Sequence, residues 1–404
     1  MATILSAPAR PKVRQRGPIE RIGVRVRRIA VVAALVALVP TIVAYVNSMS
    51  GPSNTALGVR TVEWLRDNGA AGIVAQVETW YYSLTAPPKG GHLKALPKVG
   101  DTVVGTSGGR TTTTGKHAVH VRPFQTPAAV KPIITPALPG EGVWRSTRAG
   151  LGRTPPLLVT TMRDEPAYPQ FAVGLVWIDT RRTQTLLYAG RLEPAISALV
   201  RGPNDPMEVP AARRGRLLAT FNSGFKLADS LGGYTIHGRT YAPMKNGLAT
   251  LIGYRDGRVN ILSWTHGPTA PSSVLYARQN LPLIVDRGQA DPKIANASVW
   301  GATVGNAVLV WRSGIGIDRY GNLIYAAGPD QTASSLAAVL IRAGAVRAME
   351  LDINSYWVSF ITYAGWGALA PTNLLPDMNR VSTRYLTPDD RDFFAVYLRH
   401  RALP

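Results

Sequence analysis

The chain has 404 residues, 46% of them hydrophobic, and a formal net charge of +21. That length and apolar content allow a sizeable core together with further segments. Cysteine is absent, which excludes disulfides, thiol nucleophiles and thiolate metal sites, so an exported domain would rest on its core alone.

The charge is uneven. Arg10, Lys12, Arg14, Arg16, Arg21, Arg25, Arg27 and Arg28 stand against Glu20 alone, so this head carries about +7 and the rest about +14. A basic remainder suits anionic envelope polymers or lipid head groups, and equally an arginine-rich genome. No basic recognition helix or aromatic RNA-binding signature is present, so nucleic acid is not an expected partner.

Ile29 to Val46 is charge-free and rich in alanine, valine, leucine and isoleucine. As a helix it spans roughly 27 Å, close to the hydrocarbon thickness of a bilayer. Pro40 is a possible kink. The basic head predicts a cytoplasmic N-terminus and an extracytoplasmic C-terminus in the cell membrane. A cleaved signal peptide is the competing reading; the long basic head and the lack of a small-residue cleavage site favour an uncleaved anchor.

From Thr55 to Leu84 apolar residues recur at helical spacing, and Asn68-Gly69 predicts a break into two helices. Trp80, Tyr81 and Tyr82 are expected in a core rather than at a membrane interface. Proline, glycine and threonine dominate 85–140, which reads as linker with few packed contacts. His117 and His120 have a metal-like spacing but no third ligand, so no metal site is expected. The chain therefore divides into a basic head (1–28), a transmembrane helix (29–49), a helical stalk (50–84), a linker (85–140) and a globular domain (141–404).

The globular part reads as α+β: a mixed sheet with hairpins and one packed helix. Arg255-Asp256-Gly257 and Arg319-Tyr320-Gly321-Asn322 predict hairpin turns. Thr332 is placed to cap a helix ending at Arg342, with Leu336, Val339 and Leu340 on one face, Gly344 at its C-terminal cap and a strand after it. The segment from Pro388 to Leu398 reads as a short final helix.

Three stretches could carry chemistry. In Met349-Glu350-Leu351-Asp352-Ile353-Asn354-Ser355, strand alternation puts Glu350, Asp352 and Asn354 on one face. Two carboxylates at a strand end suit acid/base or nucleophilic work at a sugar carbon; a polar strand edge is the plainer alternative. Alternation also groups Arg312, Gly314, Gly316 and Asp318. There an arginine fork could grip a phosphate while the glycines admit a ligand, or the glycines could simply admit a packed neighbour. Asn222-Ser223-Gly224-Phe225-Lys226 is a polar turn between aromatics, and His237 follows downstream. No Walker loop, nucleophile-elbow serine or zincin helix is present, and no cofactor is implied.

Taken in order, these stretches resemble the phosphodiester glycosidase family, that of the lysosomal uncovering enzyme, whose activity removes N-acetylglucosamine from a sugar–phosphate–sugar diester. The resemblance rests on the Asn222–Phe225 turn, the hairpin at Tyr254–Gly257, Pro282-Leu283-Ile284 through Gly288, the arginine-led strand Arg312–Gly321, and the helix–glycine–strand unit closing on Leu351-Asp352-Ile353-Asn354-Ser355. It covers roughly half of the chain, from Leu157 to Phe360. Where the family has glycines after the aspartate this chain has Ile353 and Asn354, and Ser223 replaces the first glycine of the turn, which implies a reshaped pocket. The anchor and linker resemble those of bacterial envelope proteins.

The resemblance implies an extracytoplasmic hydrolase acting on a sugar phosphodiester in an envelope glycan such as an exopolysaccharide. Its expected catalytic groups are Asp352, then Glu350, with Asp318 in support. Arg312 is expected on the phosphate, and Asn222, Lys226, His237, Asn354 and Ser355 on the sugar. The alternative is a membrane-tethered module that binds anionic polysaccharide without turning it over.

Overall fold

The computed structural model describes residues 18–51, 53–85, 88–100, 102–103, 126–148, 151, 154–199, 206–301, 309–365 and 369–400. The head before Pro18, the run Thr111 to Thr114, His117 and His120 lie outside the described residues. Two compact units are present: Met1–Gly51 with Ala56–Gly69, and Pro52–Thr55 with Ala70–Pro404.

In the first unit, helix α1 (Pro18–Ser50) contains Pro40. Its segment Val26–Ser50 is long and apolar enough to cross a membrane, or to serve as a signal sequence, and none of its most apolar stretch is covered by protein. Helix α2 (Leu57–Leu65) folds back on it, with the Tyr45 and Trp64 rings edge-on at 5.2 Å and Tyr45 Oη 2.9 Å from Thr61 Oγ1. The helix breaks at Asn68 and Gly69, where φ is −112° and 91°.

The first helix of the second unit is α3 (Ala71–Thr85). Trp80, expected in a core, is 66% exposed instead. It shares a helical stripe with Ile73, Val77 and Leu84, all of them exposed.

The strands follow in chain order: β1 (Thr102–Val103), β2 (Arg145–Ser146), β3 (Leu157–Met162), β4 (Val173–Ile178), β5 (Thr183–Tyr188) and β6 (Leu217–Asn222). After the short helix α4 (Leu227–Ser230) come β7 (Tyr234–Ile236), β8 (Arg239–Ala242), β9 (Ala249–Tyr254), β10 (Val259–Ser263), β11 (Val274–Gln279), β12 (Leu283–Asp286) and β13 (Gln289–Ala290). The last part contains β14 (Val310–Asp318), β15 (Leu323–Gln331), α5 (Ala333–Arg342), β16 (Ala345–Glu350), β17 (Phe360–Tyr363), β18 (Pro371–Asn373) and β19 (Phe393–Leu398).

They build three antiparallel sheets, so the unit is α+β as expected. Nine strands run in the order β1-β2-β3-β4-β15-β14-β16-β12-β13, five in the order β10-β9-β11-β7-β8, and five in the order β18-β17-β6-β19-β5. The main core lies where the three sheets meet, with Ile315 and Met349 from the first, Leu251 and Tyr276 from the second, and Phe221, Phe360 and Phe394 from the third. The other face of the large sheet is covered by α5 through Leu336, Val339 and Leu340. Burying such side chains stabilises the fold by about 1.5–3 kcal/mol each. Thr332 caps α5 in a reciprocal capping box with Ser335.

Two sequence expectations change. Parts of 85–140, read as linker, pack onto the sheet: Val130 is buried and its N–H donates to Gly142 O, Gly90 N–H donates to Ala167 O, and Thr161 Oγ1 donates to Pro97 O. Gly142 is what lets the chain pass this close, since an added Cβ would lie 1.9 Å from Val130 O. The expected final helix is instead strand β19. It is inserted between β5 and β6, and its Phe394 and Val396 face one core while Phe393, Ala395 and Tyr397 face another. Aromatic and β-branched residues buried on both sides suit a central strand.

Candidate functional site

Three distant stretches meet at the ends of β6, β14 and β16. Asn222 ends β6 and is almost fully buried. Its Nδ2 donates to Ser313 Oγ at 3.0 Å and to Ser223 O at 2.9 Å; its Oδ1 accepts from Tyr325 Oη at 2.9 Å and from Ser359 N–H at 3.0 Å. Ser313 Oγ in turn donates to Asp352 O at 2.7 Å, and Asp352 N–H donates to Ser223 O at 3.1 Å. One serine hydroxyl thus ties the Asn222 turn to the Asp352 loop.

Asp352 follows β16 directly. Its Oδ1 accepts from Asn354 N–H at 2.9 Å and its Oδ2 from Arg391 Nη2 at 2.7 Å. Arg391 Nη2 also reaches Gly224 O at 3.3 Å, and the guanidinium carbon lies 5.2 Å from the Trp357 ring centre. Neighbouring arginines repeat the pattern. Arg278 pairs with Asp392 through Nε at 2.8 Å, and Arg384 holds both oxygens of Asp389. Burial pushes the Asp389 carboxyl up, but Arg384 and Arg380 pull harder and leave it below its ordinary range.

Arg312 and Glu350 form a second buried pair, with Arg312 Nη1 donating to Glu350 Oε1. The guanidinium also donates to Gln331 O and Trp300 O. Neighbouring strand residues face opposite ways, so Arg312 lies on the α5 side of the sheet while Ser313 faces Asn222. Gly314 and Gly316 make room for packing rather than for a ligand: an added Cβ at Gly314 would lie 3.1 Å from Leu340 Cδ1, and at Gly316 2.7 Å from Ala345 Cβ. Burial pushes Glu350 up to about 7 against the pull of Arg312, and nearby Asp352 adds to the rise.

Three buried polar atoms on this side have no hydrogen-bond partner in the protein: Ser223 Oγ, Asp392 Oδ1 and Trp357 Nε1. Such atoms are uncommon in a folded protein, and each can form a hydrogen bond with a ligand or with water. Beside them Ile353 and Phe225 close over Gly301, where an added Cβ would lie 3.0 Å from Ile353 Cδ1 and 2.8 Å from Phe225 Cζ.

The remaining expected residues divide. Asn354 and Ser355 are half-buried in the loop after Asp352, Asn354 Oδ1 accepting from Tyr356 N–H and Ser355 O from Asn379 Nδ2. Lys226 is half-buried next to Phe225 at the head of α4. Asp318 is not brought to the cluster. It accepts from Tyr320 N–H, Asn322 N–H and Asn322 Nδ2 in its hairpin turn, five residues beyond Ser313 and so about 17 Å along the strand. His237 is exposed at the β7–β8 turn with φ 55°, on another sheet. Sequence reasoning missed Arg391, Asp392, Arg278 and Trp357. The run Asp389-Asp390-Arg391-Asp392 before an apolar stretch was the available signal, because four consecutive charges flanking a buried strand need internal partners.

Among the described residues no group of three or more His, Asp or Glu is placed to hold a metal. No family model and no curated protein matches the sequence. Solved structures of similar shape include the catalytic domain of zebrafish N-acetylglucosamine-1-phosphodiester alpha-N-acetylglucosaminidase, auto-inhibited by its pro-peptide. It matches at TM-score 0.39 and 16% identity, over 62% of this chain and 85% of that one. A Synechocystis protein of unassigned function matches at TM-score 0.37 and 16% identity, over 61% and 63% of the two chains. An exported-protein candidate from Burkholderia pseudomallei matches at 0.31 and 13%, over 60% and 76%.

Proposed function

We propose that the second unit is an extracytoplasmic hydrolase domain, held to the cell membrane by α1, that cleaves a glycosyl phosphodiester in an envelope glycan. Asp352 acts at the anomeric carbon, as nucleophile or as base for water. The C1–O bond breaks and its electrons leave on the phosphate oxygen, a weak base that needs little help from an acid. Arg391, which faces Asp352, takes the phosphate-holding role expected of Arg312. Arg312 and Glu350 position the Asp352 loop from the other side of the sheet, while Asn222 fixes its place through Ser313. Asn354, Ser355 and Lys226 are the remaining candidates for sugar hydroxyls.

The observation that carries this reading is the convergence at Asp352 of the Asn222 turn, Arg391 and a set of buried polar atoms left without protein partners. A polar cluster that is buried but not fully satisfied costs stability, and such clusters gather at functional sites. A second reading has its own support. Asp352 and Glu350 are each already paired with an arginine, which suits a tethered module that binds anionic polysaccharide without turnover.

Incubating the full chain in nanodiscs with the methyl phosphodiester of N-acetylglucosamine 1-phosphate separates the two. Sugar release that falls by orders of magnitude in Asp352→Asn supports hydrolysis, since losing a carboxylate at the reacting carbon raises the barrier by several kcal/mol. Arg391→Lys should weaken the phosphodiester reaction more than that of a phosphate-free glycoside. No release from the wild type, with acidic glycan still bound, would leave the binding module as the function.

A further inference from the structure

A cavity of about 530 Å³ lies away from this cluster, between the segment 94–100, the start of the large sheet, and β17 with β18. Its charged lining residues are Lys94, Lys98 and Arg145, and no aspartate or glutamate lines it among the described residues. Threonines 147, 160, 161, 362 and 372 supply the rest of its polar wall.

Arg145 is the informative member. It is half-buried on β2, directly opposite Val159 of β3, and its guanidinium runs past Gly140, where an added Cβ would lie 3.1 Å from Nη2. No ion pair or side-chain hydrogen bond ties it to any described residue. Four buried arginines elsewhere in this unit each face a carboxylate: Arg163 with Glu141, Arg278 with Asp392, Arg312 with Glu350 and Arg384 with Asp389. A partly desolvated guanidinium without a counter-charge loses solvation and gains nothing in return unless an anion comes to it.

The register gives the cavity's distance from the candidate site. Thr161 pairs with Gly174, Gly174 with Ala327, and Ala327 with Ser313. Thr161 therefore lies in the same cross-strand row as Ser313, three strand spacings or about 14 Å away. The Thr161 wall of the cavity is thus about 14 Å from Ser313, whose hydroxyl bonds Asp352 O.

We propose that this cavity binds an acidic segment of a glycan chain, with Arg145, Lys94 and Lys98 holding its phosphate or carboxylate groups and the threonines meeting its hydroxyls. Guanidinium and ammonium groups supply the charge, and a threonine-rich wall suits a polyhydroxylated ligand better than an acyl chain. The site stands whether or not Asp352 turns a substrate over.

The test uses the full chain in nanodiscs of zwitterionic lipid, titrated with oligogalacturonate, with glycerol phosphate oligomers and with neutral maltohexaose. Both acidic oligomers should bind, less tightly as salt rises, and maltohexaose should not. Arg145→Gln should weaken acidic binding at least tenfold. Lys94→Gln with Lys98→Gln, two exposed positions that put folding at little risk, should weaken it severalfold, while Lys293→Gln on a distant surface should not. Comparing the two acidic oligomers shows which oxyanion is preferred. The proposal fails if the cavity variants bind acidic oligomers as the wild type does, since binding would then reflect overall positive charge. It fails equally if maltohexaose binds as well, or if only phosphatidylglycerol vesicles bind.

Discussion

Arg391 and Asp352 stand 39 residues apart in sequence and meet with Nη2 2.7 Å from Oδ2, each side chain less than a tenth exposed. The contact joins the segment leading into β19 of one sheet to the loop after β16 of another. Removing one member of a buried pair strands the other and costs about 3–5 kcal/mol, whereas removing both costs far less. Urea unfolding of Arg391→Gln, Asp352→Asn and the double variant should therefore give a coupling of at least about 2 kcal/mol. Additivity to within about 0.5 kcal/mol would mean that the two side chains do not depend on each other.

Asn222 makes four bonds, to Ser313, Ser223, Tyr325 and Ser359. A residue whose amide is so fully engaged with protein acts by holding the turn. Asn222→Ala should cost roughly 2–4 kcal/mol, because it strands the Ser359 N–H inside the protein and leaves the Tyr325 hydroxyl only its long bond to Ser359 O. An Asn222→Ala protein as stable as wild type, but with weakened sugar binding, would make Asn222 a ligand contact instead.

Local features were legible in sequence and non-local ones were not. The helix from Ala333 to Arg342 could be read whole because its cap, apolar stripe and terminal glycine lie within thirteen residues of one another. The two hairpins and the break at Asn68-Gly69 were readable for the same reason. Strand β19 was hidden, since its partners Tyr188 and Asn222 lie far back in the chain and its charged lead-in resembles a helix start. Arg391 was hidden with it. Alternation found the face that Arg312 shares with Gly314, but it could not say what covers that face. With α5 on one side and two sheets on the other, both faces of β14 are buried, and only the tertiary structure separates a ligand side from a packing side.

The anchor gives a topology test. The charge-free span of α1 follows a basic head, so the head should stay in the cytoplasm and everything after Ser50 should be exported. An alkaline phosphatase reporter fused after Pro404 should be active, and a fluorescent protein that folds only in the cytoplasm should be dark there. The reverse pattern would overturn the orientation and with it the proposed envelope substrate.

Glu350 gives the pH test. Burial raises its carboxyl to about 7 from an ordinary 4.5, and the pull of Arg312 does not cancel that rise. The folded chain therefore keeps a proton between those two values that the unfolded chain has released. The sign follows from linkage: where the native state binds more protons than the unfolded state, stability falls as pH rises. The contribution is complete below the unfolded value of 4.5 and is lost as pH climbs through about 7, a change on the order of 3 kcal/mol. Asp164 is likewise raised to about 6 by burial, and Asp330 to about 6 by burial and by Asp377, so the raw pH profile mixes several groups. Glu350→Gln removes one titration and leaves the others in place. Thermal melts from pH 4 to 8 should show the wild type losing stability relative to Glu350→Gln as pH rises, mostly above pH 5. Parallel curves across that range would mean that Glu350 stays ionised beside Arg312 throughout, and that the pair is a permanent salt bridge rather than a proton store behind Asp352.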